Sequence, residues 1–179
     1  MAAWTVAALI LLLPLLAMQF TDKVDWNLAD FAVFGSMLVG VGVTFELAAR
    51  VTGNIAYRAA VGIALAAAFF MVWINLAVGI IGNEDNPANL MYGGVLAVGI
   101  IGAIIARFQP YGMSRALVAT ALAQLLVAVI ALIAGMHRYP GSSVFEILSL
   151  NGFFVALFAG SAWLFRIAAR KDSPVVSGQ

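Results

Sequence analysis

The sequence contains no cysteine, a single histidine and few charges. The absence of cysteine excludes disulfide bonds and thiolate metal sites. His137 alone cannot form a multi-histidine metal site or a bis-histidine haem within one chain. Charged residues make up only 9% of the 179 residues, whereas a soluble domain has about 25%. The net charge of +1 gives no indication of a nucleic-acid partner. The chain therefore lacks the polar surface that a soluble domain needs.

Apolar residues dominate instead, at 64% of the chain, and they form repeated uninterrupted runs. A transmembrane barrel would alternate apolar and polar positions, so these runs predict an all-α fold, a polytopic transmembrane helix bundle. Six spans of 17 to 23 residues are each long enough to cross a hydrocarbon core of about 30 Å. The predicted spans are 4–20, 31–49, 59–81, 90–108, 116–136 and 152–169. They form a single transmembrane domain, 1–170, followed by a disordered cytoplasmic tail, 171–179.

Lysine and arginine predict the orientation of these spans. Seven of them fall on one side of the predicted membrane and only two, Lys23 and Arg138, on the other. The positive-inside rule therefore places both termini in the cytoplasm. The seven are Arg50, Arg58, Arg107, Arg115, Arg166, Arg170 and Lys171. Aromatic residues mark two interface belts, Trp4, Tyr57 and Tyr111 on one side and Trp26, Tyr92 and Tyr139 on the other.

The first apolar segment has two interpretations. It is either a retained helix or a signal peptide, because "LLLPLLAMQF" is apolar and ends in small residues. A signal peptide normally carries basic residues before the apolar run, and none is present here, which favours a retained helix. Cleavage would leave five spans with the same orientation.

Three polar residues lie inside the predicted spans. Glu46 is either a functional intramembrane charge or one half of an interfacial i,i+4 pair with Arg50, and the spacing favours the pair. Asn75 and Gln124 lie deeper. They either line a route for a small solute or ion, or form interhelical hydrogen bonds worth about 0.6–2 kcal/mol each, which is the commoner use of amides.

The densest polar stretch, "NEDNPAN", lies between two copies of "LAVGIIG". Asn86 followed by Pro87 is typical of a helix start, and Glu84 and Asp85 lie where a helix N-terminus favours negative charge. Local capping therefore explains most of this loop. The alternative is an outer-loop binding site for a cation or partner, formed by Glu84, Asp85, Asn86 and Asn89, although the EF-hand spacing is absent.

Stripes of small residues predict which helix faces pack, because small residues permit close approach in lipid. The predicted faces are Ala32, Gly35, Gly42, Glu46 and Ala49; Ala64, Ala68, Asn75, Gly79 and Gly82; Thr120, Gln124, Ala128, Ala131 and Gly135; and Gly152, Ala156, Ala159 and Gly160. Folding the third and fourth spans into a hairpin predicts Gly99 beside Val72, Gly102 beside Phe69 and Gly79 beside Tyr92. The repeated phrase itself is interpreted as coincidence in a small apolar alphabet.

Three stretches together resemble a family of small polytopic bacterial integral membrane proteins that have no assigned activity. They are "AMQFTDKVDWNLADF", "GNIAYRAAVGIALAAAFF" and "NLAVGIIGNEDNPANLMY". The resemblance extends from the first span to the sixth and implies a multi-pass protein of the bacterial cytoplasmic (inner) membrane. It implies no role for any individual residue.

Three functions remain open at this point. The first is a non-enzymatic structural or accessory component that contacts the lipid bilayer and associates with itself or another membrane protein. The second is a homo-oligomeric carrier or channel for a small solute or ion, with Glu46, Asn75 and Gln124 along its route. The third, a membrane-bound enzyme, is least favoured, because the spans contain no carboxylate pair, P-loop or G-x-S-x-G motif. No catalytic residue, cofactor or metal is predicted.

Overall fold

Helices form all the regular structure in the computed structural model, which describes residues 2–20 and 26–171. The six α-helices are α1 (Ala2–Phe20), α2 (Leu28–Val51), α3 (Ile55–Ala77), α4 (Leu90–Ile105), α5 (Pro110–Ile133) and α6 (Val144–Lys171). Five helices are long and apolar enough to cross a membrane, while the apolar helix Ala7–Phe20 is shorter. The all-helical class is confirmed, and the count of six spans stays a prediction. The predicted tail beyond Lys171 and the predicted position of Lys23 lie outside the described residues.

Every helix differs from its predicted span at one end or both, and two of these differences have a clear local cause. α6 begins at Val144 rather than Gly152, as one continuous helix. Ser143 explains this early start, since its hydroxyl accepts a hydrogen bond from the Glu146 amide at 3.1 Å, as an N-cap does. α3 ends at Ala77 rather than Ile81, because Gly79 adopts a left-handed backbone with φ of 73°.

The chain divides into two compact units, residues 1–51 and 52–179. In the first, the N-terminal hairpin, α1 packs against α2. A Cβ added at Gly35 would lie 3.8 Å from Leu11, and one added at Gly42 would lie 3.2 Å from Trp4. Two of the five residues predicted for the packed face of α2, Gly35 and Gly42, therefore lie beside α1, whereas Ala32 is exposed.

The second unit, the four-helix unit, is organised around α5 and α6. These two helices pack most extensively, α3 lies against α6, α4 lies against α5, and α3 touches α4 only slightly. The predicted contacts of Gly99 and Gly102 with α3 are therefore wrong. Gly99 lies instead against Thr120, and Gly102 against Ala116, both on α5. The prediction assumed that two helices joined by a short loop pack against each other. In the structure, α4 packs against α5 instead.

The buried faces in this unit match the prediction for α5 and contradict it for α6. Four of the five residues predicted for α5 are buried, namely Thr120, Gln124, Ala128 and Ala131. On α6 the predicted glycine and alanine face is largely exposed. Its buried face carries Ile147, Asn151, Phe154, Phe158, Ser161, Ala162, Phe165 and Ala168. The small residues Ala116 and Thr120 of α5 lie against glycines of α4, whereas the buried face of α6 carries large side chains, of which Phe165 packs against Tyr57 of α3.

The two ends of the four-helix unit differ in charge. One end, here named the basic end, comprises residues 52–60, 105–115 and 161–171, which include arginines and a lysine but no acidic residue. The other, named the loop end, comprises residues 78–89 and 134–143. Side chains join the segments within each end, as described below.

Candidate functional site

Three deeply buried polar side chains of the four-helix unit, Tyr92, Gln124 and Asn151, form one cluster, named the polar cluster. Each is at most 1% exposed. The Oδ1 atom of Asn151 accepts two hydrogen bonds, from the Tyr92 hydroxyl at 3.2 Å and from Gln124 Nε2 at 2.9 Å. Asn151 Nδ2 donates to the Ile147 carbonyl at 2.8 Å, one turn earlier in α6. One side chain of α6 therefore links α4 and α5.

Helix geometry places the cluster near the loop end. Asn151 lies seven residues after the start of α6, or about 10 Å along the helix axis. Tyr92 lies in the first turn of α4, and its long side chain carries the hydroxyl inward to Asn151. Gln124 lies on the buried stripe of α5, one turn from Thr120, whose hydroxyl donates to the Ala116 carbonyl at 2.9 Å.

One atom of the cluster has no partner among the described residues. Gln124 Oε1 is buried and accepts no hydrogen bond. Unpaired buried acceptors are uncommon and costly, at about 1–3 kcal/mol. This atom is able to accept a hydrogen bond from a water molecule or from a donor group of a small solute. The two amide groups do not titrate at ordinary pH, so they suit binding and positioning rather than proton transfer.

Glu46, Asn75 and Gln124, the three predicted intramembrane candidates, are not joined by any hydrogen bond in the described part of the chain. Glu46 lies in the N-terminal hairpin, where it pairs with Arg50 and accepts a hydrogen bond from Trp4 Nε1 at 3.2 Å. The expected i,i+4 pair is therefore present. Asn75 donates from Nδ2 to the Met71 carbonyl of its own helix at 2.8 Å, and its Oδ1 is buried without a partner in the described chain.

Asn89 holds the loop between α3 and α4 in shape. Its Oδ1 accepts hydrogen bonds from the amides of Ile80 and Ile81 at 3.1 and 2.9 Å. Its Nδ2 donates to the carbonyls of Asn83 at 2.8 Å and Ile81 at 3.3 Å. All four contacts are to backbone, so the polar groups of Asn89 act on the fold of the loop.

The other three loop candidates separate into a cap and two exposed carboxylates. Asn86 caps a short 3₁₀ turn, Pro87–Asn89, by accepting from the Ala88 amide at 3.0 Å, as the sequence predicted for the start of this element. Glu84 and Asp85 are exposed. Among the described residues, no three histidine or acidic side chains lie close enough together to hold a metal ion.

The loop end is closed by contacts between its two segments. The Gly82 amide donates to the Ser142 hydroxyl at 2.6 Å. A shallow cavity of about 210 Å³ lies beside this contact and is lined by Gly82, Asn83, Asn86, Tyr139 and Pro140. Among these lining residues, the two asparagines and Tyr139 carry polar side-chain groups.

The basic end is joined by hydrogen bonds from side chains to backbone carbonyls. The Ser161 hydroxyl of α6 donates to the Ala60 carbonyl of α3 at 2.6 Å. The Tyr57 hydroxyl donates at 2.9 Å to the carbonyl of Phe108, in the turn between α4 and α5, and its ring packs edge-on against Phe165. Asn54 Nδ2 donates to the Ala168 carbonyl at 3.4 Å.

The sequence prediction missed Asn151 and did not show that two of the tyrosines are buried. Asn151 was assigned to a loop because the predicted span began one residue later. A usable signal was present: Ile147, Asn151, Phe154 and Phe158 follow helical 4-3-4 spacing. Tyr57 and Tyr92, predicted as interface markers, are 8% and 1% exposed and lie in the first turns of α3 and α4, so their depth in a membrane stays a prediction.

Comparison with known proteins gave no match to any protein-family model, curated protein or solved structure. The resemblance to small bacterial membrane proteins therefore stays a prediction.

Proposed function

We propose that this chain is a non-enzymatic integral membrane protein that serves as a structural or accessory component of the bacterial cytoplasmic membrane. It works by presenting a rigid helical unit to a second membrane protein or to further copies of itself. The polar cluster is the observation that carries this proposal.

Buried polar side chains of the four-helix unit are bonded to one another or to backbone, as a scaffold requires. In a carrier, polar side chains must be available to the substrate and must exchange partners as the route opens. Here Asn151 Oδ1 is already occupied by two donors, Tyr92 and Gln124. Ser161 and Tyr57 are likewise engaged with backbone carbonyls. These bonds connect all four helices of the unit, which favours a rigid scaffold over a moving one.

The topology proposed with this function has six spans, with both termini in the cytoplasm. The distribution of lysine and arginine supports it. In that orientation the basic end faces the cytoplasm and the loop end faces outward. Labelling of single-cysteine variants in sealed cells tests this, because the parent chain has no cysteine. A cysteine at exposed Glu84 is expected to react with a membrane-impermeant maleimide, and one at exposed Arg115 is not.

The scaffold role is tested by extracting the full chain from its native membrane with a lipid-retaining copolymer and measuring its mass by native mass spectrometry. We expect a homo-oligomer or a defined complex with a second membrane protein. Asn151→Leu is expected to reduce the complexed fraction, because it removes the side chain that joins three helices. Ser149→Leu, an exposed change two residues away on α6, is the matched control. A monomer without a partner in the native extract would overturn the proposal.

A specific observation also favours the carrier as a second candidate. Gln124 Oε1 and Asn75 Oδ1 are both buried without partners among the described residues, and such acceptors are available to a polar solute. Purified protein in liposomes is then expected to carry glycerol, urea or potassium ions faster than protein-free liposomes. Replacing Gln124 with leucine would abolish that flux, while Ser149→Leu would preserve it. Flux equal to that of protein-free liposomes for all three probes would remove the carrier candidate.

A further inference from the structure

The outward face of α6 at the basic end carries a groove that neither the polar cluster nor the scaffold role uses. Trp163, Arg166, Ile167 and Arg170 line it, and its volume is about 260 Å³. These residues are spaced i, i+3, i+4 and i+7, so they form one stripe of the helix. A groove of this volume is large enough to admit a phosphate group.

The positive charge in this groove has no counter-charge in the described structure. Arg166 and Arg170 are exposed and make no ion pair or side-chain hydrogen bond with any described residue. The nearest acidic residue before them on α6 is Glu146, 20 residues from Arg166, or about 30 Å along the axis. Asp172, the next acidic residue along the chain, lies outside the described residues.

The negative end of the α6 dipole offsets only part of the positive charge of the two arginines. A helix C-terminus carries about half a negative charge, which repels anions. Two guanidinium groups supply two full positive charges at the same turns, so the local field remains positive. Guanidinium groups also bind phosphate oxygens in a bidentate manner, which an isolated ammonium group does not.

Trp163 indicates that the ligand has an apolar part. Its side chain is 65% exposed, although an indole of this size is normally placed in the core or at a membrane interface. It lies one turn from Arg166 toward the middle of α6, on the side where acyl chains begin if the arginines are at headgroup depth. Ile167 adds apolar surface between the two arginines.

From these observations we infer that the groove binds an anionic phospholipid, with its phosphate between Arg166 and Arg170 and the start of an acyl chain against Trp163 and Ile167. The site is independent of the proposed scaffold role. If the protein proves to be a monomer without a partner, the groove would still bind the lipid. If the groove binds no lipid, the protein would still assemble.

The test uses the full chain in phosphatidylcholine nanodiscs with increasing phosphatidylglycerol, and native mass spectrometry counts the retained lipids. We expect phosphatidylglycerol to be retained in preference to phosphatidylcholine. The double variant R166Q/R170Q removes two basic contacts with the phosphate. We expect their combined loss to weaken phosphatidylglycerol binding by about 30-fold. R166K/R170K keeps the charge without the bidentate geometry and is expected to show intermediate binding.

The control is R107Q/R115Q, which removes two exposed arginines from the same end and so lowers the net charge equally. We expect it to weaken binding by less than about threefold, because it leaves the groove intact. Equal losses in the two glutamine double variants would overturn the proposal, since they would show a general attraction to the basic end. Equal retention of both lipids would overturn it as well. Displacement of the lipid by millimolar inorganic phosphate would identify a free-phosphate site instead.

Discussion

Replacing Asn151 with leucine is expected to destabilise the four-helix unit far more than replacing Gln124 with leucine. The two residues share a hydrogen bond of 2.9 Å, so a simple count of that bond would predict equal costs. The two substitutions leave different numbers of buried polar atoms without a partner, and this difference makes Asn151→Leu the more destabilising change.

Asn151→Leu strands two donors, the Tyr92 hydroxyl and Gln124 Nε2, while Gln124 Oε1 already lacks a partner in the described chain. Interhelical hydrogen bonds in membranes average about 0.6 kcal/mol and reach about 1.7 kcal/mol, so the loss of two lowers the free energy of unfolding by about 1–3 kcal/mol. Gln124→Leu loses one such bond. It also removes the unpaired Oε1, whose burial costs about 1–3 kcal/mol. The net cost of Gln124→Leu is therefore near zero.

Unfolding in mixed micelles, followed by circular dichroism as the fraction of sodium dodecyl sulfate rises, measures these free energies. The double variant is expected to be less destabilised than the sum of the single variants, with a coupling of about 1 kcal/mol, because leucine at both positions leaves fewer stranded groups. Ser149→Leu, exposed on the same helix, should change the free energy by no more than about 0.5 kcal/mol. The reasoning is refuted if Gln124→Leu costs as much as Asn151→Leu, or if the coupling is zero.

Two further predictions concern the contact of α4 with α5 and the loop before α4. Gly102→Val is expected to lower the free energy of unfolding by about 1–3 kcal/mol, because a Cβ there would lie 2.8 Å from the Ala116 Cβ. Gly94→Val, with nothing within 4 Å of its added Cβ, should stay within about 0.5 kcal/mol of the parent, and equal effects in the same micelle assay would contradict the close approach. Asn89→Ala is expected to speed hydrogen exchange at the two loop amides it accepts from by about tenfold or more, since each loses its acceptor. Glu84→Gln should leave that exchange unchanged, and unaltered exchange in the alanine variant would show that other contacts hold the loop.

Composition and periodicity were sufficient to predict the helical class and the buried face of α5. The face works as a signal on α5 because the small residues and the amide share one stripe, and α5 packs against helices on both sides. The hairpin packing of Gly35 and Gly42 on α2 follows the same rule. In both helices the packed face can be predicted from the residues of that helix alone.

The packed face of α6 was not predictable in this way. Small residues mark close approach only when the partner is also small or is backbone. Here α5, which packs extensively on α6, buries Ala128 and Ala131, and α6 buries Phe154 and Phe158. α6 therefore carries two possible packing faces, one of glycine and alanine and one of large side chains. The choice between them depends on which helix lies opposite, and that is a property of the tertiary fold.

Asn151 and Ser161 show why α6 is the element on which the unit depends. They lie ten residues apart on the buried face, or about 15 Å along the axis. Asn151 contacts α4 and α5 toward the loop end, and Ser161 contacts α3 at the basic end. Between them the buried face is phenylalanine and adds volume rather than polar specificity. Apolar packing alone permits α6 to slide or rotate by small amounts in lipid, because the hydrophobic effect does not favour one helix contact over another there. Two polar contacts at separate heights fix both the depth and the rotation of α6, and they thereby set the direction in which Arg166 and Arg170 face outward.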